Sequence, residues 1–505
     1  MQRFLPFFFL IFFSAPIFAM AGNHGFAPPP DTKNGSLFSG NADRIPEDAP
    51  CGGAKWESLL ALDGQNSPPP DWQISQPLSL TVAQRIALAG NPSLFAATER
   101  VRQAVERVNQ AKAAYWPKLD TTLSAQRFSL SETVRRATLS GNPESPDENY
   151  QAALSADWLL FGGFARKYSL AAARYGQKQQ MATRADLTRL LFSSVAAFYY
   201  NAQLTAEQAL IAEADLAFNQ RQVAEAKARL EAGTGSLSDR LNFDVQVNQA
   251  KALLIRVKKD YTLSLLNLAA LLGIDDPTFS KRVTLPRAQS ESPQEMRLPD
   301  LDALIEYAGK NRPDLLSSDY AVAMAQSAIG SAKAAFFPNI YLSAALTGQR
   351  QGDTGISEED FGAILSLNLS YNLFAGGADR SKVTEAIHLQ REAKLQKRSV
   401  ALEITSEVGK SLSELSAAQQ QLQLQRSNAS LVLANRNLVE KEYAAGQTSL
   451  VRLNEAQRNL VEAKALLAQS LLSMRLAWHN LKSSTGESLQ PFTSTKADKA
   501  IPHAN

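Results

Sequence analysis

Phe361–Phe374 reads Phe-Gly-Ala-Ile-Leu-Ser-Leu-Asn-Leu-Ser-Tyr-Asn-Leu-Phe. In a strand, successive side chains point to opposite faces. Phe361, Ala363, Leu365, Leu367, Leu369, Tyr371 and Leu373 then share one face, and Gly362, Ile364, Ser366, Asn368, Ser370 and Asn372 the other. A strand of about twelve residues tilted about 40° rises roughly 30 Å, enough to cross the ~25 Å apolar band of a membrane barrel. A half-buried sheet in water gives the same alternation, so the pattern leaves two environments open.

Similar strands are expected at Lys118–Leu130, Tyr150–Phe161 and Asn339–Thr347. Two of the four follow matching joints, Ala111–Pro117 (Ala-Lys-Ala-Ala-Tyr-Trp-Pro) and Ala332–Pro338 (Ala-Lys-Ala-Ala-Phe-Phe-Pro). Proline removes a backbone donor and disfavours helix at the residue before it, so each joint ends a helix. The aromatics Tyr115, Trp116, Phe161, Phe336, Phe337, Tyr371 and Phe374 all fall at strand ends next to helices. A membrane barrel carries its aromatic girdle at that level. Four strands cannot close a barrel, and open edges are not tolerated in lipid. Strands in a membrane therefore require several chains, and three would supply twelve.

The rest reads as helix. The first opens at Thr81 with Gln84 three residues on, a capping-box pattern. Asn91-Pro92 restarts it, as N-cap and first helical residue. Proline-free helical sequence then runs from Ala165 to Glu231, and a second helix from Ser236 to Leu272. In the other half Asp302 starts a helix, Arg312-Pro313 restarts it, a long helix reaches Ala445, and the last covers Ser449–Leu481. Pro92 to Pro313 and Pro117 to Pro338 are offset by 221 (313−92, 338−117), and Gly233 to Gly446 and Lys251 to Lys464 by 213 (446−233, 464−251). The chain is an internal repeat whose second copy is shorter in its strand–loop–strand region, where loops accept such changes.

Arg3, the apolar run Leu5–Phe13 and Ala19-Met20-Ala21 form a secretory signal, with cleavage expected after about Ala21. The expected divisions are signal peptide 1–21, extended segment 22–78, first repeat 79–273, linker 274–300, second repeat 301–484 and tail 485–505. A net charge of +3 does not imply nucleic acid, and the single cysteine, Cys51, excludes an internal disulfide framework. Cys51 is too far from the cleavage site to carry a lipid as the first mature residue. The sequence contains no nucleotide loop, catalytic motif or Cys/His cluster. Neither an enzyme nor a cofactor is expected, and energy must come from partners.

The sequence resembles the TolC family of outer-membrane efflux proteins over roughly residues 79–484. The ordered set of repeat, Asn91-Pro92 and Arg312-Pro313 starts, Ala-Lys-Ala-Ala-x-x-Pro joints, Leu160–Gly163 and Leu373–Gly377, and Ala-Gly-x-x-Ser turns carries the resemblance. It implies a mainly α fold with a membrane β-barrel: a homotrimer sharing twelve strands across the outer membrane of a Gram-negative bacterium, above a periplasmic helical barrel. It further implies a periplasmic adaptor and an inner-membrane ABC or RND transporter as partners, and outer-membrane lipid as surroundings. The absence of a lipid-acceptor cysteine at the cleavage site leans toward the type I protein secretion branch rather than the lipidated drug or metal efflux branch, with non-lipidated drug-efflux members as the alternative. By the same resemblance Gly233, Ser236, Leu237, Gly446, Ser449, Leu450 and Val451 are the adaptor-contact tips. Asp239, Arg452 and Glu455 are the gate, with Arg452 standing where a carboxylate is common, and Asp239 a possible partner for it. Tyr115, Trp116, Phe161, Phe336, Phe337 and Phe374 are the membrane-interface aromatics. The competing expectation is a secreted or periplasmic coiled-coil or adhesin-like stalk, which needs no strands in lipid.

Overall fold

The computed structural model describes residues 77–127, 148–293, 295–352 and 357–490. The signal peptide, nearly all of the 22–78 segment, Cys51, the end of the first expected strand and the tail from 491 lie outside the described residues. The first half runs α1 (Leu80–Gly90), α2 (Pro92–Ala113), β1 (Lys118–Arg127), β2 (Glu148–Gly162), α3 (Ala165–Glu231) and α4 (Leu237–Leu272). The second runs α5 (Leu301–Asn311), α6 (Pro313–Lys333), β3 (Asn339–Gln351), β4 (Phe361–Ser370), α7 (Ala378–Ala444) and α8 (Leu450–Thr485). Matching helices have matching lengths: 11 and 11 residues, 22 and 21, 67 and 67, 36 and 36.

At about 1.5 Å per residue, α3 and α7 each span roughly 100 Å. Shorter helices stack along both, α2 and α4 on the outer side of α3, and α6 and α8 between α3 and α7. Near the sheet the lateral order is α2, α3, α6, α7; away from it the order is α4, α3, α8, α7. Both layers end on α7 at one side; at the other the first ends on α2 and the second on α4.

Where the short helices meet, an apolar core forms around Leu78, Ile86, Val195, Tyr199, Leu265, Leu268 and Phe279. The same clasp appears in each half. Asn91 Nδ2 donates to Leu271 O at 2.8 Å, and Arg312 Nη1 donates to Ser484 O at 2.8 Å. The donors are 221 apart (312−91) and the carbonyls 213 apart (484−271), the two repeat offsets. The second clasp is ionic: Arg312 also holds Asp314 at 2.7 Å and Glu407 at 2.7 Å. Opposed charges compensate the burial of that guanidinium.

The four strands form one antiparallel sheet in the order β1-β2-β3-β4. Its apolar face continues across strands, with Leu123 opposite Ala152, Leu154 opposite Leu346, and Leu342 opposite Leu367. Several expected boundaries shift for local reasons. Ser79 rather than Thr81 caps α1, its hydroxyl accepting from Val82 N at 3.4 Å. Asp300 caps α5, accepting from Ala303 N at 3.0 Å. The linker contains a helical turn, Phe279–Arg282, and α8 continues to Thr485. β4 stops at Ser370 rather than Phe374, because Ser370 pairs with Asn339, the first residue of β3. Beyond it this edge strand has no partner among the described residues.

The return from β2 to α3 packs on the Ala332–Pro338 joint. Gly163 has φ +59°, and a Cβ there would lie 2.5 Å from Ala334 O and 2.8 Å from Phe337 Cβ. Phe164 follows at φ 67°, with its ring edge-on to Phe161 at 5.5 Å and to Phe337 at 6.2 Å. Left-handed backbone costs a residue with a Cβ roughly 1–2 kcal/mol, and the clash at Gly163 adds to that. Gly163→Ala should therefore lower the melting temperature of the detergent-purified protein well beyond Gly376→Ala, where φ is +62° but nothing lies within 4 Å. Equal melting temperatures would contradict this packing.

Candidate functional site

Three surfaces carry the candidate residues. The first is the apolar face of the sheet. Its helical end is ringed by Tyr115, Trp116, Phe336, Phe337 and Phe374, all exposed, with Phe161 half-buried. The structure adds three residues that the sequence reading did not select. Trp158 Nε1 donates to Tyr115 O at 2.9 Å, and Phe164 is exposed beside Phe161. Arg166 lies 4.9 Å over the Tyr115 ring and donates to Ala114 O and Leu160 O at 3.3 and 2.8 Å, tying the helix end to the strand end. Polar residues mark the opposite end: Arg127 lies 3.7 Å from Glu148, Tyr150 Oη donates to Glu148 at 2.9 Å, and Arg350 meets Asp360 at 3.1 Å. Apolar side chains fill the strand length between an aromatic end and a charged end, which is the profile of a lipid-facing belt.

The second surface is the far end of the helices. The two hairpin turns are built alike. Gly233 N donates to Leu230 O and Thr234 N to Arg229 O; Gly446 N donates to Tyr443 O and Gln447 N to Glu442 O. Both glycines have positive φ, 72° and 71°, as helix C-caps require. Ser236 and Ser449 then cap the returning helices, accepting from Ser238 N at 3.1 Å and Arg452 N at 3.4 Å.

The hairpins are not equivalent in burial. Leu237 is 54% exposed and Val451 72%, whereas Leu450 is 8% exposed. Leu450 packs with Phe218, Ala226, Phe243, Val439, Leu453 and Ala456. It belongs to the seam between hairpins, not to the exposed tip contacts expected of it. Tyr443 fills the same seam, edge-on to Phe243 at 6.3 Å and 5.3 Å below the Arg229 guanidinium. Burial raises the Tyr443 hydroxyl pKa above its ordinary value, and the nearby Asp239 charge raises it further.

Asp239 is half-buried, while Arg452 and Glu455 are exposed. Among the described residues Asp239 and Arg452 form no ion pair with each other. A different bridge joins the hairpins higher up: Gln457 Nε2 donates to Asp215 Oδ1 at 2.7 Å, and Arg436 Nε donates to Gln457 Oε1 at 2.9 Å. Arg436 also lies 4.4 Å over Phe218 and 2.9 Å from Glu440. Burial raises the Asp215 pKa, and the amide donor at Gln457 opposes the shift. A cavity of about 480 Å³ opens beside this bridge between α3, α4 and α8, with Arg256, Asp260, Arg458 and Glu462 among its walls.

The third surface is the polar face of the sheet, where Ser343 Oγ donates to Asp157 Oδ1 at 2.6 Å and Lys118 meets Asp120 at 2.8 Å. Among the described residues no His/Cys/Asp/Glu group could hold a metal ion, and no helix is long and apolar enough to cross a membrane.

The family model for outer membrane efflux proteins matches residues 84–274 and 304–487. The chain is 27% identical over 402 residues to the pyoverdine export outer membrane protein OpmQ of Pseudomonas aeruginosa, covering 77% of this chain and 80% of that one. It is 24% identical over 396 residues to the cation efflux system protein CusC of Escherichia coli, covering 77% and 82%. A solved structure of CusC superposes with TM-score 0.67 at 20% identity, over 81% of this chain and 92% of that one. The outer membrane protein VceC of Vibrio cholerae superposes with TM-score 0.65 at 20% identity, over 81% and 96%.

Truncating a buried leucine costs about 2–5 kcal/mol, and an exposed one under about 0.5. Leu450→Ala should therefore speed amide exchange around Gly446, with Leu237→Ala leaving exchange at both turns near the parent rate. Equal effects would show that the seam does not depend on Leu450.

Proposed function

The chain belongs to the outer membrane efflux protein family, and on that premise we propose how it builds its duct: three copies close side by side around a common axis. The observation that carries this is the coincidence of open edges. Among the described residues the sheet is bare along β1 and β4, and the helical layers are bare along α2 and α4 on one side and α7 on the other. β1 follows α2 and β4 leads into α7, so sheet and helices are open on the same two sides. One head-to-tail contact, repeated until it closes, satisfies both layers.

The bare sides are apolar. Leu424, Leu431 and Leu438 recur seven apart along α7 and are exposed, and Leu241, Val245 and Ile255 are exposed on α4. That spacing is the seam of a helix pair. Leu373 beside β4 is 85% exposed, against 40% for its repeat counterpart Leu160, which β3 flanks. The missing neighbour of β4 would be β1 of the next copy.

In this reading the apolar belt faces lipid and the polar face lines water. The duct conducts passively from the periplasm across the outer membrane. Its tips (Gly233, Ser236, Leu237, Gly446, Ser449 and Val451) meet a periplasmic adaptor, and an inner-membrane ABC or RND transporter supplies the energy. OpmQ is named for pyoverdine export and CusC for cation efflux; we assign cargo choice to the inner-membrane partner. Asp239, Arg452 and Glu455 would recur threefold near the axis. A stalk without transport would not require a sheet face that is apolar between an aromatic and a charged end.

Replacing Leu424 and Leu431 together by Glu places two carboxylates per chain in the proposed seam. The variant should keep the helical circular-dichroism signal of the parent but run as a monomer in native mass spectrometry, and export by the host cell should fail. A trimer that survives this change places the seam elsewhere. At the tips, Arg452→Ala removes three guanidinium groups from the narrow end. Single-channel conductance in planar bilayers should rise; unchanged conductance would remove Arg452 from the gate.

A further inference from the structure

The polar face of the sheet is not uniform along its length. Lys118 pairs in register with Asp157, and Asp120 with Ser155, so these three charged residues occupy the two levels after Pro117. Every other described residue on that face, from Thr122 to Gln126 on β1, Asn149 to Ala153 on β2, and throughout β3 and β4, is uncharged. The wall therefore has a charged base next to the helices and a neutral upper part.

The base is also unbalanced. Lys118 is engaged by Asp120 at 2.8 Å, while Asp157 is fixed by the Ser343 hydroxyl at 2.6 Å. Two carboxylates face one ammonium, leaving one uncompensated negative charge per chain, held in place by a neighbouring strand.

We propose that Asp157, balanced by the Lys118–Asp120 pair, makes the base of the membrane barrel a cation-preferring band distinct from the helical tips. The inference rests on the duct reading, in which three copies bring three Asp157 carboxylates around one water-filled axis. Low-dielectric walls focus the field of such a ring, and rings of carboxylates favour cations. Substitutions of lumen-facing side chains in such barrels tune selectivity. Among the described residues the wall above it carries no opposing charge. Screening lengths of about 10 Å at 0.1 M and about 3 Å at 1 M salt make the band effective in dilute solution and weak in concentrated solution.

The test is the reversal potential of the full-length protein in a planar bilayer under a potassium chloride gradient, with the dilute solution on the barrel side. Asp157→Asn should move it toward the anion-selective direction and Lys118→Gln toward the cation-selective direction. Both shifts should shrink when each side is raised above 1 M salt. A packing role would move the two variants the same way, so opposite signs are the discriminating result. Asp120→Asn, which frees Lys118 from its partner, should move with Asp157→Asn and provides the second variant if Asp157→Asn fails to assemble. Conducting channels whose reversal potential is the same in all variants, or shifts in one direction only, overturn the band and leave the duct standing. A parent protein that inserts but never conducts overturns the duct and the band together.

Discussion

A strand edge in hydrocarbon has no water to satisfy its backbone groups, and the rest of the architecture follows from that constraint. The sheet of one chain has two such edges. In the duct we propose, lipid is compatible with them only if another chain covers each. The same requirement accounts for features that look unrelated in one copy. β4 ends early, Leu373 and Phe374 stand in the open, and α7 displays leucines at heptad spacing where a helix neighbour is absent. The helical layers inherit their open sides from the strands. α2 delivers the chain to β1 and α7 takes it from β4, so a contact that closes the sheet also brings α7 against α2 and α4.

Within one copy, the repeat does the corresponding work. Each half ends its returning helix on the joint between its own two short helices, with a side chain from the residue before proline holding an equivalent carbonyl. The first half uses a neutral amide. The second uses a guanidinium with two carboxylates around it, and Arg189 adds a bond to Ser483 O at 3.1 Å. A neutral clasp tolerates burial directly, whereas an ionic one needs its compensating partners in place. The second half therefore gathers α3, α6, α7 and α8 at one point, while the first joins only α2 to α4.

Much of this was legible in the sequence, for reasons that differ by element. The long helices were readable nearly to the residue because Gly233 and Gly446, at positive φ, end them and the glycine pairs Gly162-Gly163 and Gly376-Gly377 precede them. The four strands were readable as alternating segments, and the two faces of β4 from its strict alternation, whereas the shift of register between Leu159 and Phe161 in β2 was not. The end of β4 was not, because alternation continues to Phe374 while pairing, which defines a strand, stops where β3 begins. The tips show a similar limit. Ala232–Leu237 and Ala445–Leu450 share the pattern Ala-Gly-x-x-Ser-Leu, yet Leu237 is exposed and Leu450 buried. Local sequence sets the turn; contact with the other hairpin sets burial. The Asp215–Gln457–Arg436 bridge joins positions far apart in the chain, and no local pattern announces it.

The distribution of buried contacts separates a fixed part of the molecule from an adjustable one. The joint at the short helices has the largest buried cluster, two clasps and a linker strapped down by side chains, among them Gln203 to Pro286 O at 2.7 Å and Gln419 to Glu295 O at 2.8 Å. The tip seam has seven buried residues, separated from that core along the helices, with one polar bridge above them. Segments with few buried contacts open at lower free energy than the core. Each core leucine contributes about 1.5–3 kcal/mol by burial, so a seam of this size has only a few such contributions to lose. Displacing the second hairpin from the first therefore breaks a small, local set of contacts while both clasps and the sheet stay intact. In the duct we propose, a partner at the exposed tip residues shifts that balance without disturbing the barrel, which is the division of roles a gate in that duct requires.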